Sequence, residues 1–460
     1  MVLPAHGHIN PITGLAKELV AKKSFDVIFY GNIEHKDLIE RTGATFRQYS
    51  HILSTNFKHK PLNEDKHDAL EDLFTKMINI SYEAVPVLLQ QVENDKPDLI
   101  IYDHFSFPAR YMLKVMESRF AKGLSQQPTP PAVNFYTCFA SKDGLYPSNE
   151  QLQEIVGGGF RLMATMARLI MRQSLFSWKF GINIYNPVNF IYNESEKLNL
   201  VSVFPELHPH SDKFDSSYKF VGCCLSENIR KLKTSDSKLT EIIEFFQPLN
   251  PNFSLKNFDQ NGNENRFKLV YASLGTVFNN NIFIFDMIIE SIKIYNELYN
   301  DPDSPKLKVI VALGQENYNI YQERIKNESY EVPENVLLVI TAPQIDILER
   351  ASLFITHCGM NSASEAIQYG VPVICLPIKG DQLLVAERLA DDLNLGIKFD
   401  PLKMTSLDLK SAIEKILKDD FYLKNMLNFT KISRNYNGSV TSANLVENYL
   451  NDFYKVQFNQ

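Results

Sequence analysis

No window of the 460-residue chain holds an uninterrupted apolar run of the roughly 18 residues that a membrane-spanning helix needs. Positive charge is not in excess either. There are 47 Lys and Arg against 54 Asp and Glu, a net charge of −7, which argues against a protein that grips nucleic-acid phosphates over a broad basic face. Cysteine is scarce: five in all, scattered except for Cys223 and Cys224, with no Cys-x-x-Cys spacing. That excludes a disulfide framework and predicts free thiols in a reducing compartment. The opening MVLPAHGHINP has neither a basic n-region nor a long apolar h-region, and the closing NDFYKVQFNQ is polar. The expectation is a cytoplasmic protein without a secretory signal or membrane anchor. No repeat of solenoid period is present.

What is there is enough apolar material for real cores, 44% hydrophobic against 22% charged, in a chain longer than one core usually supports. Short β-rich runs alternate with helical periodicity. VLPA, FDVIFYG, PDLIIYDHF and PAVNFYT read as strands in the first half, with GHINPITGLAKELVAKK as a helix between the first two. In the second half FKLVYASLG, LKVIVALG, NVLLVITA, ASLFITHCG and VPVICLP read the same way, separated by helices such as FIFDMIIESIKIYNELYN and DQLLVAERLADDLN. Strand–helix–strand alternation predicts parallel βαβ units. Residues 249–266 are rich in Asn, Pro, Ser and Asp, as a linker or surface loop would be. The predicted architecture is therefore α/β, with two doubly wound domains and a ligand site beyond the carboxyl ends of the strands. The expected bounds are 1–235 for the first domain, 236–266 for the linker, 267–435 for the second domain and 436–460 for a last helix. Residues 160–177, FRLMATMARLIMRQSLFS, read as an amphipathic helix broken by Arg161, Arg168 and Arg172. Such a helix packs on the core, lines a pocket or touches a membrane surface.

The densest chemical signal runs from Thr341 to Gln382, TAPQIDILERASLFITHCGMNSASEAIQYGVPVICLPIKGDQ. His357, Gly359, Asn361, Ser362 and Glu365 lie where the ASLFIT strand passes into a helix. Gly359 is expected to let the backbone turn tightly, so that the Asn361 and Ser362 amides meet an anion at a helix N-terminus. His357 and Ser362 add side-chain donors, and Glu365, one turn beyond Asn361, can accept two ribose hydroxyls. The same residues also fit a plain helix cap with Glu365 as the capping partner. Ser273, Gly275 and Thr276 form a second strand-to-glycine turn able to face phosphates. Asp381 and Gln382 suit vicinal sugar hydroxyls or, equally, the cap of their helix.

In the first half, His8 sits between the first strand and the first helix, and an imidazole is poised for proton abstraction near neutral pH. Asp103, at the polar end of PDLIIYD, is its best partner by position, because a carboxylate on the second ring nitrogen fixes the tautomer. His6 rivals His8, and Asp98 rivals Asp103. A metal site lacks nearby carboxylates around His6 and His8.

The run from Thr341 to Gln382 closely resembles the signature of the nucleotide-sugar-dependent glycosyltransferases that include plant secondary-product, animal glucuronosyl and bacterial macrolide enzymes. With Gly7–Pro11 and Ala272–Thr276, the resemblance covers nearly the whole chain. It implies a GT-B-type fold of two facing Rossmann-like domains, the first binding the acceptor and the second the nucleotide sugar, with the 436–460 helix crossing back to the first. It implies that His8 deprotonates the acceptor and that Asp103 orients His8. Gln344 would help bind the base, His357, Asn361 and Ser362 the diphosphate, and Glu365 the ribose. Asp381 and Gln382 would bind the transferred sugar, and Ser273 and Thr276 would face the phosphates. Thr341 and Met360 stand where plant members carry tryptophan, so the chain looks nearer the macrolide or animal branch there. The mechanism implied is direct displacement with inversion, without metal or cofactor, from a UDP-sugar donor. The acceptor expected is a small apolar molecule such as a sterol, lipid, phenolic or polyketide, and glucose is the preferred sugar. The alternatives are a sugar-nucleotide epimerase or hydrolase of the same architecture and a non-catalytic nucleotide-sugar-binding subunit.

Overall fold

The structure is a computed structural model that describes residues 1–3, 5–49, 68–142, 144–148, 150–151, 159–182, 184, 196–225, 236–246, 248, 267–275, 281–299 and 305–458. They form two Rossmann-like α/β units of the GT-B kind. Residues 1–49, 68–225 and 436–458 make the first, and residues 236–435 the second.

In the first unit, β1 (Ile28–Gly31) pairs in parallel with β2 (Thr45–Gln48), and β3 (Ile100–Asp103), β4 (Ala132–Tyr136), β5 (Leu198–Val201) and β6 (Tyr218–Phe220) form a four-stranded parallel sheet in that order. Residues on alternate sides of a strand face opposite layers. Ile100, Tyr102 and Ala132 therefore belong to one core with α3 (Asp68–Asp95), α4 (Phe107–Ala121) and α5 (Gly159–Phe180). Val133, Phe135, Leu198 and Leu200 belong to another with α1 (His6–Ala21) and α14 (Gly438–Phe458). The VLPA segment, expected as the first strand, is not a full strand. Residues 1–3 lie along β3 through a bond from the Met1 nitrogen to the Ile101 carbonyl (2.8 Å) and one from the Asp103 amide to the Met1 carbonyl (3.0 Å).

The second unit holds a six-stranded parallel sheet in the order β12-β11-β10-β7-β8-β9. Its strands are β7 (Phe267–Ser273), β8 (Lys306–Ala312), β9 (Val336–Val339), β10 (Leu353–Thr356), β11 (Val373–Cys375) and β12 (Gly396–Lys398). These strands are almost wholly apolar because a parallel sheet is covered on both faces; Leu353–Thr356, for example, is buried throughout. Helices α7 (Ile282–Leu298) and α12 (Ser406–Lys418) complete the core over one face. The connections run outward in both directions from β7 and β10, so the switch of strand order falls between their carboxyl ends. That is where ligands of doubly wound sheets bind.

The linker expected at 236–266 carries a helix, α6 (Ser237–Phe245), whose N-cap Asp236 accepts the Leu239 amide. Arg350 donates to the Phe246 carbonyl (3.1 Å), tying this segment to the second unit; residues 249–266 lie outside the described ones. The amphipathic helix α5 has two different faces. Leu169 and Phe176 are core, whereas Met163, Ile170, Met171, Leu175 and Trp178 are exposed.

Candidate functional site

His8 lies in the first turn of α1, whose N-cap Ala5 receives the His8 and Ile9 amides at its carbonyl. Asp103 ends β3 and is wholly buried, while the His8 side chain keeps 22% of its surface open. The structure brings the two together: His8 Nδ1 is 3.1 Å from Asp103 Oδ1 and 3.0 Å from Oδ2. A carboxylate only accepts, so Nδ1 carries a proton, and in the neutral ring Nε2 then keeps its lone pair. Thr137 Oγ1 is 3.0 Å from the same Nδ1, and Phe105 meets the ring edge-on with centroids 5.6 Å apart. The Asp103 carboxylate is held in turn by the Leu3 amide at 3.2 Å. Neither rival takes part in this pairing. His6 contacts the buried His35, ring centroids 4.7 Å apart, and Asp98 meets the Tyr454 hydroxyl.

In the second unit, Ser273 at the end of β7 is in register with Thr356 at the end of β10, so the two carboxyl-terminal loops emerge side by side. His357 fills the space between them. A Cβ on Gly275 would come within 2.6 Å of its Cε1, and one on Gly359 within 2.7 Å of its Nε2. Burial pushes the His357 pKa down to about 4, opposed by a main-chain hydrogen bond with Ser273. Its Nδ1 is buried without a hydrogen-bond partner among the described residues.

The tight turn is not made by Gly359, as the sequence suggested. Gly359 has φ −60° and ψ 140°, while Cys358 takes the left-handed conformation at φ 63°. Glycine is needed at 359 to clear the His357 ring. Gly359 also N-caps α10 (Met360–Tyr369) with no side-chain bond, leaving the first-turn amides, those of Asn361 and Ser362 included, in the position that receives anions.

Glu365 is no capping partner. It is buried and accepts from Gln344 Nε2 at 2.6 Å; Gln344, which opens α9 (Gln344–Leu348), also donates to Ser362 Oγ at 3.2 Å. The buried Tyr271, stacked on Phe354, donates to Gln344 Oε1 at 3.4 Å. Three of the expected residues thus form one hydrogen-bonded cluster. Asp381 and Gln382 open α11 (Asp381–Glu387). Asp381 is exposed, whereas Gln382 is buried and its Oε1 accepts the Ile378 and Lys379 amides at 2.9 and 3.2 Å. That oxygen braces the loop, so of the Gln382 carboxamide the NH₂ group remains for a ligand. Thr276 lies outside the described residues. Among those described, no group of three His, Cys, Asp or Glu is placed to hold a metal ion.

Sequence reading passed over Thr137, Tyr271 and Cys358. The first two were findable in principle, since Thr137 directly follows the buried PAVNFY strand and Tyr271 lies three residues before the Leu274–Gly275 turn.

Residues 308–437 match the family model described as UDP-glucoronosyl and UDP-glucosyl transferase. The NDP-glycosyltransferase YjiC of Bacillus licheniformis is 27% identical over 454 residues, covering 97% of this chain and 96% of that protein. Among solved structures, the calicheamicin glycosyltransferase CalG4 superposes with a TM-score of 0.68 at 21% identity, over 97% of this chain and 96% of that one. The glycosyltransferase of kitacinnamycin does so with a TM-score of 0.66 at 20% identity, over 97% and 99%.

Proposed function

Because the chain belongs to the nucleotide-sugar-dependent UDP-glycosyltransferase family, we propose that it moves a hexose, glucose in the first instance, from a UDP-sugar to a hydroxyl of a small apolar acceptor with inversion. The observation that carries the reading is the His8–Asp103 pair. His8 Nε2, the unprotonated nitrogen, takes the acceptor proton as the oxygen attacks the anomeric carbon and the bond to the nucleotide diphosphate breaks. The buried Asp103 carboxylate offsets the charge that the imidazolium gains. The acceptor class we favour is a sterol, lipid, phenolic or polyketide, and the buried free thiols Cys138, Cys224, Cys358 and Cys375 fit a reducing compartment such as the cytoplasm.

On the donor side, Gln344 reads the base and Glu365 accepts the ribose hydroxyls. The first-turn amides of α10, with Ser362 and Ser273, hold the diphosphate. His357 is uncharged at neutral pH and contributes a hydrogen-bonding ring rather than a cation, so the leaving diphosphate is stabilised mainly by amide dipoles. Asp381 and the Gln382 NH₂ group bind the transferred sugar. Thr276 is assigned to the phosphates on the family resemblance alone.

The test is product formation from a matrix of UDP-sugars and hydrophobic hydroxyl-bearing acceptors, with His8→Ala alongside. The expected outcome is acceptor-dependent glycoside and a loss of turnover of about 10²–10⁴-fold in the variant, with UDP binding retained. Equal transfer by His8→Ala would remove His8 as the base. Donor consumption without acceptor would replace the transferase by a hydrolase or epimerase.

A further inference from the structure

Tyr271 lies in β7, two residues before Ser273, and is the register partner of Phe354 in the neighbouring β10. Successive residues of a strand face opposite layers. Val270 and Ala272 belong to the core under α7, so Tyr271 faces the other layer, where it meets Gln344 of α9. Its ring is buried and lies flat on Phe354, with centroids 5.0 Å apart and planes 11° apart. That stack fixes the ring plane, and with it the place of a hydroxyl 3.4 Å from Gln344 Oε1.

The Gln344 carboxamide has one orientation here. A carboxylate only accepts, so the group 2.6 Å from Glu365 Oε2 is the NH₂, and the end toward Tyr271 is the carbonyl. One amide hydrogen goes to Glu365 and the other to Ser362 Oγ at 3.2 Å. Ser362 accepts through its oxygen and so has its own hydroxyl hydrogen to give to a phosphate oxygen. Tyr271 donates to Gln344 Oε1 across 73 residues of chain. One buried hydroxyl thus stands behind a chain of hydrogen bonds that ends on Glu365 and Ser362, the groups assigned to ribose and diphosphate.

We propose that Tyr271 is a positioning residue for the donor's ribose: acting through Gln344, it holds the Glu365 carboxylate in the orientation that accepts the 2′ and 3′ hydroxyls, and so sharpens the choice of ribose over 2′-deoxyribose. It rests on the assignment of Glu365 to the ribose. Two vicinal hydroxyls need carboxylate oxygens at fixed places, because hydrogen bonds weaken steeply when misaligned. A side chain held in that place beforehand loses less freedom when the ligand arrives. Without the Tyr271 hydroxyl, Gln344 Oε1 loses its donor, and the carboxamide is no longer held with its NH₂ toward Glu365. A ligand that lacks the 2′ hydroxyl has less to lose from that change, which is why the effect falls on selectivity as well as on affinity.

The test is calorimetric titration of the full-length protein with UDP and with 2′-deoxy-UDP, for the parent, Tyr271→Phe, Gln344→Ala and the double variant. The parent is expected to bind UDP about tenfold or more tightly than 2′-deoxy-UDP. Tyr271→Phe keeps the ring on Phe354 and is expected to bind UDP about three- to tenfold more weakly, with 2′-deoxy-UDP nearly unaffected, so that the preference shrinks by a similar factor. Gln344→Ala is expected to shrink the preference at least as much, and adding Tyr271→Phe to it to change the preference no further. An equal loss of affinity for both ligands in Tyr271→Phe overturns the proposal and leaves the hydroxyl a structural role. So does an unchanged preference in Gln344→Ala, or a further loss of preference in the double variant, since the effect then does not pass through Gln344. A parent that binds the two ligands alike removes Glu365 from the ribose and the proposal with it, whereas a parent that discriminates beside a Tyr271→Phe that discriminates as strongly overturns the proposal alone.

Discussion

His357 shows how far the place of a buried side chain depends on what its neighbours lack. The ring occupies space that a Cβ at 275 or 359 would enter, and Gly275 has φ +76° in addition. Gly275→Ala therefore combines the left-handed penalty, about 1–2 kcal/mol, with displacement of the imidazole from its place between the two loops. Gly359→Ala, at φ −60°, carries the clash alone. UDP affinity measured by calorimetry is expected to fall about tenfold or more in Gly275→Ala, roughly 1.4 kcal/mol or more. In a His357→Ala background the same change should cost only its backbone share, and full retention of UDP binding by Gly275→Ala would show that the ring position does not matter.

At the level of elements, the contact between α1 and α14 decides where His8 is held. Gly14 lets the helices meet: a Cβ there would lie 2.5 Å from Ser439 Oγ and 3.1 Å from the Cys224 carbonyl. The same two helices share an ion pair, Lys22 to Glu447 at 2.7 Å, with side chains 23% and 35% exposed. Close packing outweighs the ion pair here. Gly14→Val is expected to destabilise the first unit by about 1–3 kcal/mol through overpacking, and Lys22→Ala by less than about 1 kcal/mol. Urea midpoints for the two variants compare these directly, and a larger effect from Lys22→Ala would reverse the ranking. Because α1 carries His8 in its first turn, Gly14→Val should also lower turnover more than it weakens UDP binding.

Over the whole molecule, each unit holds a histidine whose folded form resists protonation. His35 in the first is pushed down to about 4 by burial, with His6 beside it adding to the effect, and neither ring nitrogen has a hydrogen-bond partner among the described residues. His357 in the second is also pushed down to about 4 by burial. Since the unfolded chain protonates near pH 6.5 and the folded one only near 4, the unfolded state binds the extra protons inside that window. Stability from both sites is full above about pH 6.5 and is lost progressively as the pH falls toward about 4. At about 1.4 kcal/mol per unit, each site contributes at most about 3.5 kcal/mol. Thermal melts of the parent and of His35→Phe at about pH 7 and about pH 5 are expected to show a smaller drop for the variant. Equal drops would mean that His35 is not one of the proton-sensitive groups.

The amino-acid order by itself determined the two parallel α/β halves, because strand runs ended by glycine and helices of 3.6 periodicity are local signals, legible without any partner. It likewise put forward His8, Asp103, Gln344, His357 and Ser362 as candidates at strand ends and helix starts, with Glu365 one turn further along. Only the tertiary structure decided the rest. Which carboxylate meets His8, and that Thr137 joins it, depends on β3 and β4 lying side by side and on the start of α1 reaching their ends, with 95 residues of chain between His8 and Asp103. Glu365 became a partner of Gln344 rather than a cap because the start of α9 and the side of α10 meet in space. The turn before α10 fell to Cys358 because Gly359 was already claimed by the His357 ring. The helix inside the expected linker and the exposed side of α5 were decided the same way. A local pattern says which residues a helix places on one face, but what covers that face is set by elements distant in the chain.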